Sequence, residues 1–310
     1  MRRVRTTNLL PLVLATLLAA CGGEETATGG RPVVVATTSI LGDIAGVVAG
    51  GEAEVKVLMP RGTDPHEFSP SPRQVALLGE ADLVVANGLG LEEGLADALA
   101  SVGEEAGNVL EVAPQVDPLP LPEEGGEHED EEHEGEGLDP HVWMDPVRMA
   151  DAAGLIAERL AAARPGGWAG RADRYAEELA ALDDEIREVL APIPPDRRVL
   201  VTNHDVLGYL AARYDLEVLG VIIPGGSTLG EPSAGAFSEL AALIRERDVP
   251  AIFAETTQPS ALAETLAGEV GRAVEIVELF TESLGPEGSG ADTYAGMMRA
   301  NARRIARGLG

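Results

Sequence analysis

The chain has 310 residues, 45% of them hydrophobic and 24% charged, and carries a formal charge of −29. That length allows two domains with cores of their own, and the composition is globular rather than disordered. That charge, with Lys56 the only lysine, argues against a nucleic-acid partner, which requires a basic surface. An acidic surface attracts cations, although acidity also simply serves solubility.

The first residues read as an address rather than as part of a fold. Arg2, Arg3 and Arg5 precede an apolar run from Leu9 to Leu18, which is too short to span a membrane. Leu18-Ala19-Ala20-Cys21 resembles the lipobox of bacterial lipoproteins, whose cysteine becomes the lipidated first residue. An ordinary signal peptide with an incidental cysteine is the alternative. Cys21 is the only cysteine, which rules out an internal disulfide or a thiolate metal site. The expected organisation is a signal peptide over 1–20 and a lipidated polar tether over 21–31. The exported protein is then anchored through Cys21 to the outer face of the cytoplasmic membrane, or is periplasmic.

Next comes an alternating pattern. Strands are expected over Pro32–Thr37, Glu54–Met59 and Asp82–Asn87, with helices over Ile40–Ala49, Pro72–Gly79 and from about Leu91. Continuous Val-rich strands separated by helices indicate βαβ units and a parallel sheet covered on both faces. Residues 123–137 hold nine acids, four glycines and two histidines, His128 and His133. No core can be built from that composition, so a mobile loop is expected.

A helix is predicted from Pro146 to about Arg164 and a second from about Ala169 to Leu190. Tyr175, Leu179, Leu182, Ile186 and Val189 form a single apolar stripe on the second. The α/β rhythm then resumes, with strands over Arg198–Thr202, Glu217–Ile223, Pro250–Ala254 and Ala273–Leu279. The intervening helices are Asp205–Arg213, Ser233–Arg247 and Pro259–Val270, and Asp292–Leu309 closes the chain. The fold class is α/β, with two lobes (32–165 and 194–310), each a parallel sheet flanked by helices, joined by one long helix over 166–193.

Five histidines exist, and three sit in distinctive loops. His141 lies between Asp139-Pro140 and Asp145-Pro146, which stiffen the backbone on either side. His66 follows Asp64-Pro65 beyond the second strand, and His204 follows Asn203 beyond the fourth. Asp292 opens the last helix after Gly288-Ser289-Gly290. His66, His204 and Asp292 lie past the carboxyl ends of strands, where open α/β sheets bind ligands. Two ligands from each half would hold one ion in the cleft. Taken singly, each histidine reads more readily as a surface or hydrogen-bonded residue than as a ligand, and Asp292 as a helix N-cap.

The markers Asp64-Pro65-His66-Glu67-Phe68, Asn87-Gly88-Leu89-Gly90-Leu91-Glu92, Asp139-Pro140-His141-Val142-Trp143-Met144-Asp145-Pro146, Asn203-His204-Asp205, Glu231-Pro232-Ser233 and Asp292-Thr293-Tyr294 resemble those of the substrate-binding lipoproteins of bacterial zinc and manganese ABC transporters. The likeness covers essentially the whole exported chain. It implies two α/β lobes joined by a rigid helix, with the metal ligands at His66, His141, His204 and Asp292. It also implies delivery to a membrane permease driven by a separate ATPase, by a protein acting as a monomer.

Three imidazoles and one carboxylate suit Zn²⁺, whereas a second carboxylate suits Mn²⁺, the alternative cargo. Glu67, Asp205 and Glu255 are expected to offset the residual positive charge, Glu255 also serving as a spare ligand. His128 and His133 read either as a weak zinc-collecting loop or as part of a solvated charge run. Two rival functions remain: a zinc hydrolase, and an adhesin with a structural metal. Four protein ligands close the shell that a hydrolase keeps open, and no His-Glu-x-x-His sequence occurs. No adhesive module is evident, and no Walker A motif is present.

Overall fold

The computed structural model describes residues 30–122 and 137–310. The expected leader 1–20, Cys21, most of the tether, and His128 and His133 lie outside the described residues. Among the described residues, no helix is long and apolar enough to cross a membrane.

The N-terminal half contains β1 (Val33–Ala36), α1 (Ser39–Ala49), β2 (Glu54–Val57), α2 (Pro72–Gly79), β3 (Leu83–Ala86), α3 (Ala96–Ala106) and β4 (Val109–Glu111). All the strand pairs are parallel, in the order β2-β1-β3-β4. β1 and β3 lie at the centre of the sheet, and β3 is buried along its whole length. This is why both read as unbroken apolar runs rather than as alternation. β4 was not expected. It is a three-residue edge strand, too short to leave a periodic signal.

The C-terminal half repeats the plan with β5 (Val199–Thr202), α6 (Gly208–Arg213), β6 (Glu217–Val221), α7 (Ala234–Glu246), β7 (Ala251–Glu255), α8 (Ala261–Val270), β8 (Glu275–Leu279) and α9 (Tyr294–Leu309). Its strand order, β6-β5-β7-β8, is the same permutation, again all parallel.

Between the two sheets run α4 (Pro146–Ala163) and α5 (Trp168–Leu190). α4 starts cleanly because Pro146 sits at its first position and the Asp145 carboxylate accepts from Val147 N–H. The predicted stripe on α5 is borne out: Tyr175, Leu179, Leu182 and Ile186 are buried. At 23 residues and ~1.5 Å per residue, α5 is about 35 Å long. It packs on α4, α1 and α9. One buried apolar cluster therefore runs from Ile40 and Ile44, through Leu179 and Ile186, to Tyr294 and Ile305, tying both lobes to the long helix.

The joint is also polar. Arg213 of α6 donates to both oxygens of Asp183 on α5, at 2.8 and 2.7 Å, and lies 3.4 Å from Asp145 at the start of α4. Arg148 donates to the other oxygen of Asp145 at 2.6 Å.

Candidate metal centre

The Asp-Pro-His sequence occurs twice and folds the same way each time. Asp64 Oδ1 accepts from His66 N–H, and Asp139 Oδ1 from His141 N–H, both at 2.9 Å. Each aspartate thus forms a side-chain-to-backbone turn that presents the histidine two residues on. His141 is then followed by a single 3₁₀ turn, Val142–Met144.

His66, His141, His204 and Glu282 converge. Each offers one ligand atom, and these four atoms all lie within 4.8 Å of one another. His141 and His204 Nε2 are 3.2 Å apart, and Glu282 Oε1 is 3.6 and 3.5 Å from them. All four residues are buried, and both His66 nitrogens and both Glu282 oxygens have no hydrogen-bond partner. A buried carboxylate with no donor is costly unless a cation balances it.

Two of the rings are fixed from behind. His141 Nδ1 lies 2.7 Å from Asp139 Oδ1, and His204 Nδ1 lies 2.6 Å from Glu255 Oε1. An ionised carboxylate only accepts, so each Nδ1 carries the proton and each Nε2 faces the cluster. Thr281 Oγ1 in turn donates to Glu255 Oε2 at 3.1 Å. This carboxylate–imidazole arrangement is the usual outer support of a metal-ligating histidine.

Charge inside the cluster follows the geometry. Burial pushes His204 down, but the Glu255 and Glu282 carboxylates outweigh it and hold its pKa well above the ordinary imidazole value. Burial pushes Glu282 up, yet the three imidazoles bring it below the usual carboxylate value. His66 is lowered by burial and by its two imidazole neighbours, against the pull of Glu282 and Asp64.

Asp292 does not join the cluster. Its carboxylate accepts from Gly288 N–H at 2.9 Å, closing a turn in which Gly288 and Gly290 adopt left-handed φ of +74° and +78°. That bond holds its pKa below the usual value. Thr293, not Asp292, caps α9. The carboxylate in the cluster belongs to Glu282, three residues past the end of β8.

Among the other expected contributors, Glu255 holds His204 as described. Glu67 is exposed and accepts from Gln258 at 3.1 Å, while Asp205 accepts from Gly225 N–H at 3.1 Å. Neither of these two is hydrogen-bonded to a ligand ring. Sequence reasoning missed Glu282 and the role of Asp139. The usable signal for Glu282 was its place: Thr281-Glu282 follows the carboxyl end of β8 as Asn203-His204 follows that of β5, in the same parallel sheet.

Two equal parallel sheets, an α-helical brace and a buried set of three imidazoles and one carboxylate define a two-lobed α/β protein built to bind a divalent cation. The chain belongs to the ZnuA family, described as zinc-uptake complex component A, periplasmic, whose model matches residues 34–308. It is 35% identical over 297 residues to the zinc-binding protein TroA of Treponema pallidum, covering 94% of this chain and 92% of that one. It is 32% identical over 305 residues to the manganese-binding lipoprotein MntA of Halalkalibacterium halodurans, covering 96% of each. The solved periplasmic zinc-binding protein TroA of T. pallidum superposes with a TM-score of 0.80 at 33% identity, over 90% of this chain and 99% of that one.

Proposed function

We propose that this protein captures Zn²⁺ outside the cytoplasmic membrane, at His66, His141, His204 and Glu282, and hands it to an ABC permease powered by a separate ATPase. The observation that carries the reading is the unpartnered, fully buried Glu282 carboxylate among three imidazoles. The cation is cargo, so the site has to bind tightly and release intact. The order of lobes and long helix supports an ion held between 32–165 and 194–310. The name of a further relative, the manganese ABC transporter substrate-binding lipoprotein PsaA of Streptococcus anginosus, supports the transport class. Anchoring through a lipid on Cys21, and action as a monomer, complete the proposal.

The donor set favours zinc. Three neutral nitrogens and one oxygen match the borderline softness and tetrahedral habit of Zn²⁺, whereas Mn²⁺ prefers more oxygen ligands. One bound carboxylate leaves a formal +1, which Asp139 and Glu255 behind the rings offset. Manganese is the second reading, favoured by the MntA relative.

Dialysis of the purified protein against equal Zn²⁺ and Mn²⁺, followed by metal analysis, tests the choice. The expected result is about one Zn²⁺ per chain at neutral pH, lost near pH 5 as the imidazoles protonate. His204→Glu is expected to lose the zinc preference. Equal retention of both metals by the wild type overturns the zinc assignment.

A further inference from the structure

An open cavity of about 450 Å³ is lined from both halves of the molecule. Arg61, from the segment after β2, lines it on the N-terminal side. Phe280, Leu284 and Pro286, beyond β8, and Arg304 of α9 line it on the C-terminal side. None of these residues belongs to the cation cluster. Arg61 Nη1 donates to Gly285 O at 2.9 Å, and Arg304 Nη1 to Glu278 O at 2.7 Å. The Arg304 guanidinium also lies over the Phe280 ring, 4.5 Å from its centre. A guanidinium fork carries several further N–H donors. Among the described residues, neither arginine has another hydrogen bond or an ion pair.

The chain has 52 acids against 23 arginines and lysines, yet these two arginines meet in one cavity without a carboxylate partner. Asp43 and Asp292 are close enough to feel the Arg61 charge, but neither is ion-paired with it. The cavity wall is fixed by its neighbours. Gly62 N–H donates to Ser283 Oγ at 2.8 Å, and Gly285 N–H to Ala291 O at 2.8 Å. A Cβ at Gly285 would stand 3.0 Å from both Ala291 and the Phe280 ring, so the wall closes there only on glycine. A preformed concavity with apolar lining and a few convergent charged groups is the usual form of a small-ligand site. The fork geometry of arginine matches a planar carboxylate. Glu278 lines the same cavity, and the net charge of −29 repels polyanions, so a single negative charge fits best.

We propose that this cavity binds a small organic monocarboxylate with an apolar body. Arg61 and Arg304 hold the carboxylate, and Phe280, Leu284 and Pro286 receive the body. One guanidinium comes from each half, so the ligand ties the segment after β2 to α9. The site adds an organic anion to the molecule's ligands at a place that shares no residue with the cation cluster. It is independent of the capture reading and of the choice between Zn²⁺ and Mn²⁺.

The test is titration of the purified protein with benzoate, after removal of metal by a chelator so that no ion draws the carboxylate. The readouts are the heat of binding and the melting temperature, which a ligand of the folded state raises. Saturable binding of about one benzoate per chain is expected, with benzyl alcohol and inorganic phosphate each weaker by about tenfold or more. Arg61→Gln and Arg304→Gln are each expected to weaken benzoate binding about tenfold. The Zn²⁺ retained per chain by either variant is expected to match the wild type. Arg304→Gln also loses the Phe280 contact; should it fail to fold, Arg61→Gln, at an exposed position, carries the same prediction. Equal binding of benzyl alcohol would reduce the cavity to an apolar groove, and equal binding of phosphate would reduce it to a charged patch. Either result overturns the proposal, as does benzoate binding that the arginine variants leave unchanged, or the absence of saturable binding.

Discussion

Two buried glutamates, one in each half, look alike by burial and differ in everything else. Glu92, beyond the carboxyl ends of β1 and β3, is fully hydrogen-bonded: Thr37 Oγ1, Asn87 N–H and Gly88 N–H donate to it at 2.7, 2.7 and 3.1 Å. Burial still raises its pKa above the ordinary carboxylate value. It serves the fold, fixing the left-handed turn at Gly88, Leu89 and Gly90 and hence Asn87, whose Nδ2 donates to Pro140 O beside His141 at 2.8 Å. Glu282, beyond the carboxyl end of β8 in the C-terminal half, has no hydrogen-bond donor and three imidazoles around it. The same strand order thus carries structural chemistry beyond the strand ends of one sheet and ion chemistry beyond those of the other. Burial does not mark the site; an unmet charge does.

The largest effect expected from this contrast, short of removing a ligand, comes from the carboxylates behind the rings. Asp139→Asn and Glu255→Gln leave all four ligands present but lose the acceptor that fixes each tautomer. Each is expected to weaken Zn²⁺ binding about 10- to 100-fold in a competition titration. An unchanged affinity would mean that the rings orient themselves.

A smaller effect, and of another kind, is expected for Glu92→Ala. It leaves the Asn87 and Gly88 N–H groups without their acceptor, costing about 2 kcal/mol and lowering the melting temperature by roughly 5 °C. The number of Zn²⁺ ions retained per chain should stay the same. Loss of that ion with an unchanged melting temperature would erase the distinction between the two glutamates.

The smallest effect concerns the brace. Burial works against the Asp183 charge, but the paired bonds from Arg213, with Tyr214 and Arg187, hold its pKa below the ordinary 3.8. A depressed carboxylate contributes stability above its unfolded pKa and loses it as pH falls through the folded value. Asp183→Asn is therefore expected to lower the melting temperature by a constant amount above about pH 4, with the gap closing at lower pH. A gap that persists into strong acid would place the stabilisation elsewhere.

Much of this was legible in the sequence, because the responsible physics is local. Val-rich runs such as Val33–Val35 and Leu83–Val85 are strands buried on both faces, and the α5 stripe is a 3.6-residue period. The three histidines stood out because Asp-Pro stiffening and strand-end placement are written in adjacent residues. The carboxylate of the cluster was not legible in the same way. Asp292 and Glu282 are ten residues apart on one loop, and both are acids beyond the last strand. What separates them is the course of that loop. Glu282 leaves β8 directly into the cluster, whereas Asp292 is turned back onto Gly288 by a glycine-rich bend. The edge strand β4 was missed for a related reason: three residues stabilised by a neighbour carry no pattern of their own.

The most direct test of the central claim is the Zn²⁺ content after dialysis of three proteins measured side by side: wild type, Glu282→Ala and Asp292→Ala. The account predicts about one ion per chain for wild type and for Asp292→Ala, and essentially none for Glu282→Ala. An ion kept by Glu282→Ala and lost by Asp292→Ala would contradict it.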